Sequence, residues 1–394
     1  VSGTQSDNSL RAITAFNAQS VVLHDTTVEN FWKYAASNIY DVRWNGSSFS
    51  GSYTPANVAG AGLFAYGTQD VQITGSSRFI GDVALIGGGN QMQGGGAIFV
   101  QNSNLRVTDS TVINKCSARR GIEDTLATAT DLSNYSVDSG NNDRIGRGSA
   151  IEAVSNQNNN VTIDGNTIIS DNTAYSGSTI EADYYITLHI TGQAQIINNR
   201  NCWERGAAVF SDVGGDDTTN SLRDDTTFII DGNACISGNS FNAVGPNAIY
   251  DRTSASAVAM RITDGTQGRD RLTISENARI NNNRMYQHDN DGNAPAVNGY
   301  LRCDTTVSGN AQIRDNTAPS ASGCAGVMVR SDSEANLSTI TLQDAPTIVG
   351  NVSGSTENNV LLGFINYFSP ARTGNPNLSQ LHVSQMYGGN VGVT

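Results

Sequence analysis

The chain has 394 residues and 41.6 kDa, with 41 Gly, 44 Asn, 75 Ser plus Thr and a formal charge of −13. That length supports a large core, either in several domains or in one elongated solenoid. An acidic chain whose only lysines are Lys33 and Lys115 repels phosphate backbones and offers almost no Walker or Schiff-base lysine. No apolar run reaches the roughly 18 residues of a membrane span, so nucleic-acid binding and membrane insertion are both set aside.

The chain starts at Val1 without the basic and apolar regions of a signal peptide, and reads as a processed or excerpted chain. Residues 1–59 hold the one expected helix, around Asn30–Ser37 with Phe31, Trp32 and Tyr34. An atypical aromatic segment of this kind suits a cap over an open hydrophobic end. DTTVEN (25–30) and SNIY (37–40) look like worn copies of a repeat that is clearer downstream.

From residue 60 the chain repeats itself. GSSRFIGD (75–82) is followed by DSTVINKC (109–116), GNTIISDN (165–172), GQAQIINN (192–199), GNACISGN (232–239), ENARINNN (276–283), GNAQIRDN (309–316) and DAPTIVGN (344–351). The fifth position is Phe79, Ile113, Ile169, Ile196, Ile236, Ile280, Ile313 or Ile348. The eighth is Asn in six of the eight, with Asp82 and Cys116 the exceptions. Alternating apolar residues precede each octapeptide, as in Val161/Ile163 and Leu272/Ile274, the period of a half-buried strand. A small-small-aliphatic strand comes after each one. Examples are GGAIF (95–99), GSAIE (148–152), GSTIE (177–181), GAAVF (206–210) and PNAIY (246–250).

Spacings of 27 to 56 residues between octapeptides fit coils of a parallel β-helix with loops inserted at fixed corners. The inward Ile should stack and be nearly fully buried. The corner Asn should tolerate left-handed backbone and bond its neighbours up the stack. Segments 117–147 and 211–226 are polar and fit loops leaving the stack. The predicted fold is one all-β, right-handed parallel β-helix, its hand taken from the usual chirality of parallel crossovers. Its parts are a cap with first irregular coils (1–59), the repeats (60–363), and C-terminal strands that close or continue the array (364–394).

The paired motif, Gly95–Ile98 with Ile169–Asn172, resembles the repeats of polymorphic outer-membrane proteins, with Ile in place of that family's usual Phe. LTISENARINNN (272–283) and ITLQDAPTIVGNVSGSTENNVLLG (340–363) more closely resemble the adhesin-like β-helical repeats of microbial surface proteins. The resemblance spans roughly residues 60–394 and implies an extracellular or cell-surface location. It implies a structural or adhesive role as a stalk or adhesin module. The partners would be host or environmental glycans or surface proteins, or copies of the chain itself in an end-to-end filament.

β-Helices also house polysaccharide lyases and hydrolases, but the commonest signatures of those enzymes are missing. The four histidines, His24, His189, His288 and His382, are dispersed, and no Asn-Thr-Asp, Arg-x-Pro-x-x-Arg or Gly-x-Ser-x-Gly element occurs. The expectation is no enzyme and no cofactor, apart from a possible Ca²⁺. One constellation stands out. Pleat alternation sends Phe99, Glu152, Glu181, Phe210 and Tyr250 outward in one column, and Gln101, Val154, Asp183, Asp212 and Arg252 in the next. Glu152, Glu181, Asp183 and Asp212 would then crowd one exposed patch, as Ca²⁺ ligands or, with the aromatics and Arg252, as a glycan site. Five cysteines without a CxxC and without a shared register predict free or buried thiols, Cys303 lying beside Ser331 of the next coil.

Overall fold

A computed structural model describes residues 11–35, 43–44, 49–50, 60–86, 94–119, 147–155, 157–174, 177–202, 206–213, 223–242, 255–262, 267–286, 296–318, 324–331, 336–364 and 379–392. These form a parallel β-helix. Four ten-stranded sheets run its length, one strand of each sheet per coil except at the C-terminal end of the fourth. We number the sheets in chain order within a coil. In the third coil, for example, Ile98–Gln101 belongs to the first sheet, Leu105–Val107 to the second, Val112–Asn114 to the third and Ser117–Arg119 to the fourth.

The stack starts inside the segment expected to be a cap. Ile13–Phe16, Ser20–His24, Thr27–Glu29 and Trp32–Ala35 are the four strands of the first coil, each paired in parallel with the second coil. The helix expected around Asn30–Ser37 is therefore replaced by a corner and a strand. Asn30 turns the chain with a φ of +61°, after which Trp32–Ala35 pairs with Val83–Ile86. An extended edge offers these aromatic residues a ladder, and their β propensity favours it over a short isolated helix. At the other end, Val360–Phe364, Gln380–Met386 and Asn390–Val391 continue the first three sheets. The fourth closes differently, with Thr356–Glu357 pairing antiparallel to Val352–Ser353.

The core follows the expected ladder. Val28, Phe79, Ile113, Ile169, Ile196, Ile236, Ile280, Ile313 and Ile348 are consecutive register partners in the third sheet, and each is fully buried. The second sheet supplies a parallel ladder that includes Val71/Ile73, Leu105/Val107, Val161/Ile163 and Leu188/Ile190. Each such side chain contributes about 1.5–3 kcal/mol when removed from water, which offsets the ordering of short strands with tight corners.

The octapeptide corners carry the left-handed backbone at positions one and seven. Position one is Gly75, Asp109, Gly165, Gly192, Gly232, Glu276, Gly309 or Asp344, and position seven is Gly81, Lys115, Asp171, Asn198, Gly238, Asn282, Asp315 or Gly350, all with positive φ. The repeated Asn at position eight is not one of them. It sits just past the corner, is fully buried, and points into the stack.

There it builds a hydrogen-bond ladder. Asn172, Asn199, Asn239, Asn283, Asn316 and Asn351 each donate Nδ2 to the Oδ1 of the next, at 2.8–3.0 Å, and the last reaches Asn359. The second hydrogen of each Nδ2 goes back to a core carbonyl of the preceding coil, such as Ile196 for Asn239. Each Oδ1 also accepts the backbone N–H of the preceding ladder residue. Every polar atom of these buried amides is thus satisfied, which is the condition for placing them in a dry interior.

Cys116, Cys303 and Cys324 are buried free thiols and Cys235 is a half-buried one, as expected. The Cys202 side chain lies outside the described residues. Cys303 does not lie beside Ser331. It belongs to the second sheet, and its N–H donates to Ser338 Oγ at 3.2 Å.

Candidate functional site

The outward face of the first sheet carries the residues singled out from sequence. Phe64, Phe99, Glu152, Glu181 and Phe210 are successive register partners, one per coil. Phe99, Glu152, Glu181 and Phe210 are therefore one column. Tyr250 is not the next member: Phe210 pairs with Ala259, in the strand Val258–Ile262. Tyr250 and Arg252 themselves lie outside the described residues. In the companion column, Gln101 pairs with Val154 and Val154 with Asp183. The ladder between the next two strands joins Ile180 to Val209 and Glu181 to Phe210, the same offset that separates Asp183 from Asp212. Asp212 is opposite Arg261 and not Arg252, and the Asp212 side chain lies outside the described residues.

The face is not the solvated stripe that pleat alternation suggests. Phe99, Gln101, Glu152, Glu181, Asp183 and Phe210 are all buried. The second and third sheets alternate buried and half-exposed residues, as in Ile186–Ile190. Strands of the first sheet such as Ile98–Gln101 and Ile180–Asp183 are buried on both faces. Part of the cover is the chain's own approach to the strand. Gly95, with a φ of +69°, turns so tightly over the outer face that a Cβ there would lie 2.8 Å from the Phe99 Cβ. Gly148 does the same over Glu152, with 2.7 Å to its Cβ. The leading glycine of the GGAI and GSAI motifs therefore closes the outer face as well as starting the strand.

Arg147, one residue before that glycine, completes the cluster. Its Nη1 lies 2.7 Å from Glu181 Oε1 and 3.4 Å from Asp183 Oδ2, with all three side chains nearly inaccessible. Ser178 donates its hydroxyl to Glu181 Oε2 at 2.8 Å. Neither carboxyl oxygen of Glu152 makes a well-formed hydrogen bond. Its pKa is pushed well above the ordinary range, first by burial and then by Glu181 and Asp183, with Arg147 and the Gly94 backbone acting against them. One guanidinium is shared by the carboxyl groups of Glu181 and Asp183, while burial and those same neighbours oppose ionisation of Glu152.

Sequence reasoning missed Arg147, although its position beside the turn glycine of a coil facing two acidic outward residues was the available signal. Of the carboxylates weighed for Ca²⁺, three lie around Arg147. Among the described residues no group of three or more His, Cys, Asp or Glu side chains is arranged to hold a metal ion. The polar segments expected to leave the stack contain residues 120–146 and 214–222, outside the described residues. In chain order the first enters the first sheet and the second leaves it.

No family model matches the chain, and no curated protein or solved structure is significantly similar to it.

Proposed function

We propose that this chain is an extracellular structural and adhesive module, a rigid surface stalk or adhesin that makes its contacts through the sheet faces of the stack. The observation that carries this reading is sustained register: three sheets stay parallel through ten coils and the fourth through nine, with a buried amide ladder from Asn172 to Asn359 beside them. At about 4.8 Å per coil the stack is about 45 Å long. Hydrogen-bonded sheets over that length, reinforced by the amide network from Asn172 onward, resist bending and local opening.

The second sheet is the face best suited to contact. One of its outward columns is polar, Asn160, Thr187, Thr227, Arg271, Asp304 and Thr339 lying one coil apart and half-buried to exposed. Hydroxyls and amides repeated at the coil spacing suit a periodic, hydroxylated partner such as a glycan. Electron microscopy of the native particle should show rods or stalks. Retention on immobilised polysaccharides should be lost in Thr187→Arg/Thr227→Arg. Spherical particles, or glycan retention equal in wild type and variant, would count against the reading.

The alternatives draw less support. End-to-end assembly needs open edges in every sheet, and the antiparallel strand Thr356–Glu357 closes one of them. A polysaccharide-cleaving activity would rest on Glu152 and Glu181, whose full burial keeps a sugar chain from reaching them. Reducing ends released from pectin or alginate would establish it.

A further inference from the structure

The amide ladder has a register that extends beyond its asparagines. Phe31, Asp82 and Cys116 occupy the ladder position in the first three coils. The Phe31 N–H donates to Asp82 Oδ1 at 2.9 Å, as the Asn172 N–H donates to Asn199 Oδ1. Cys116 in turn donates its N–H to Asn172 Oδ1, and its Sγ points to the Phe79 carbonyl, the place taken elsewhere by an Nδ2. Asp82 is the exception. Its Oδ2 stands where each asparagine has a donor aimed back at a core carbonyl. That oxygen is buried and makes no hydrogen bond, and the whole residue is inaccessible to water.

A carboxylic acid can meet the requirement of that position, because its O–H supplies the missing donor. A carboxylate cannot, because it sets a bare anion among carbonyl and thiol groups. We propose that Asp82 is a proton-dependent latch: as an acid it completes the ladder and holds the first coil, residues 11–35, on the second, and as a carboxylate it lets that coil loosen.

The surroundings agree. Burial is the main influence and raises the Asp82 pKa to about 7, the Phe31 N–H opposes the rise, and nearby Glu29 adds to it. From the other side Cys116 offers only a thiol, itself kept protonated by burial and by Asp82. Lys33, on the fourth sheet beside this corner, is buried opposite Ala84 and has its own pKa lowered by burial and by Arg11. Once the coil is undocked, Asp82 returns to the ordinary value near 3.8. Its folded pKa is raised, so docking is strongest below about pH 4. Docking weakens as pH rises toward 7 and then levels off, by up to about tenfold in the open-to-closed ratio per pH unit.

The test is hydrogen exchange on the full chain between about pH 4 and 8, corrected for intrinsic rates. The reporters are the amides of Phe31 and Val83, which donate to Asp82 Oδ1 and to the Phe31 carbonyl. The Asn199 amide, mid-stack, is the internal reference. Wild-type protection at Phe31 should fall by up to about a thousandfold relative to that reference across this range. In Asp82→Asn, whose amide restores the donor, it should stay flat and high. Equal pH profiles in the two proteins, or weaker Phe31 protection in Asp82→Asn at low pH, would overturn the latch.

Discussion

Replacing Asn239 by Ala isolates one rung of the ladder. The amide makes four hydrogen bonds. It donates to the Ile196 carbonyl at 2.8 Å and to Asn283 Oδ1 at 3.0 Å, and accepts from the N–H and Nδ2 of Asn199 at 3.0 and 2.9 Å. At about 1 kcal/mol net for each neutral bond, the direct loss is about 4 kcal/mol. The Asn199 N–H is then left buried without an acceptor, an added cost of about 1–3 kcal/mol. An exposed control is Asn310→Ala, whose Nδ2 reaches Asn277 Oδ1 at only 3.3 Å and whose loss should cost under about 0.5 kcal/mol. Because coils of a solenoid can open separately, the assay is urea unfolding followed both by circular dichroism and by exchange at the Asn199 and Asn239 amides. The expected result is a destabilisation of about 4 kcal/mol or more, concentrated in the coils either side of Asn239. A cost below about 1 kcal/mol would refute the claim that the buried amides hold the coils together.

Ile236→Ala removes one fully buried member of the inward ladder and should cost about 2–5 kcal/mol by the same urea assay. Arg147→Met leaves Glu181 and Asp183 without their shared guanidinium. It should cost about 3–5 kcal/mol, a value that calorimetry with the conservative Arg147→Lys can bracket. Glu152→Gln tests the raised pKa of that buried carboxyl. Because burial and its neighbours raise the folded pKa of Glu152, its cost to the native state is absent at low pH and grows as pH rises above the ordinary glutamate range. The variant should match wild type in melting temperature near about pH 4 and gain on it steadily toward pH 8, and a pH-independent difference would contradict that assignment.

The fold was legible because its two strongest signals are local. Ile at position five and the alternating residues before the octapeptide specify which face goes inward, and the structure places all of them there. The asparagine ladder was half legible. Its register was visible, but the left-handed residue proved to be its predecessor, since a buried amide needs a regular backbone to aim at both neighbouring coils. Tyr250 was misplaced for a simple reason. Both PNAIY (246–250) and SAVAM (256–260) carry the small-small-aliphatic signature, and only pairing with Val209–Val213 selects the second. Burial of Glu152 and Glu181 was not legible either. Alternation says which way a side chain points, but not whether a glycine turn and an arginine five residues upstream fold across it.

The ladder of amides also has a direction. Every Asn–Asn link runs donor to acceptor toward the C-terminal end, so the side-chain dipoles add instead of cancelling. The chain of donors terminates on a carboxylate. Asn359 Nδ2 lies 2.8 Å from Glu357 Oε1, and that bond, together with the Gly350 N–H, holds the Glu357 pKa below its usual value. Such a one-way series constrains how the array can change in length. A duplicated coil inserted between any two rungs propagates the series if it brings its own asparagine. One that lacks it divides the series into two shorter segments, each needing a new terminus. Growth by whole repeats is therefore close to neutral for this molecule, while drift at a single ladder position is felt in both adjoining coils.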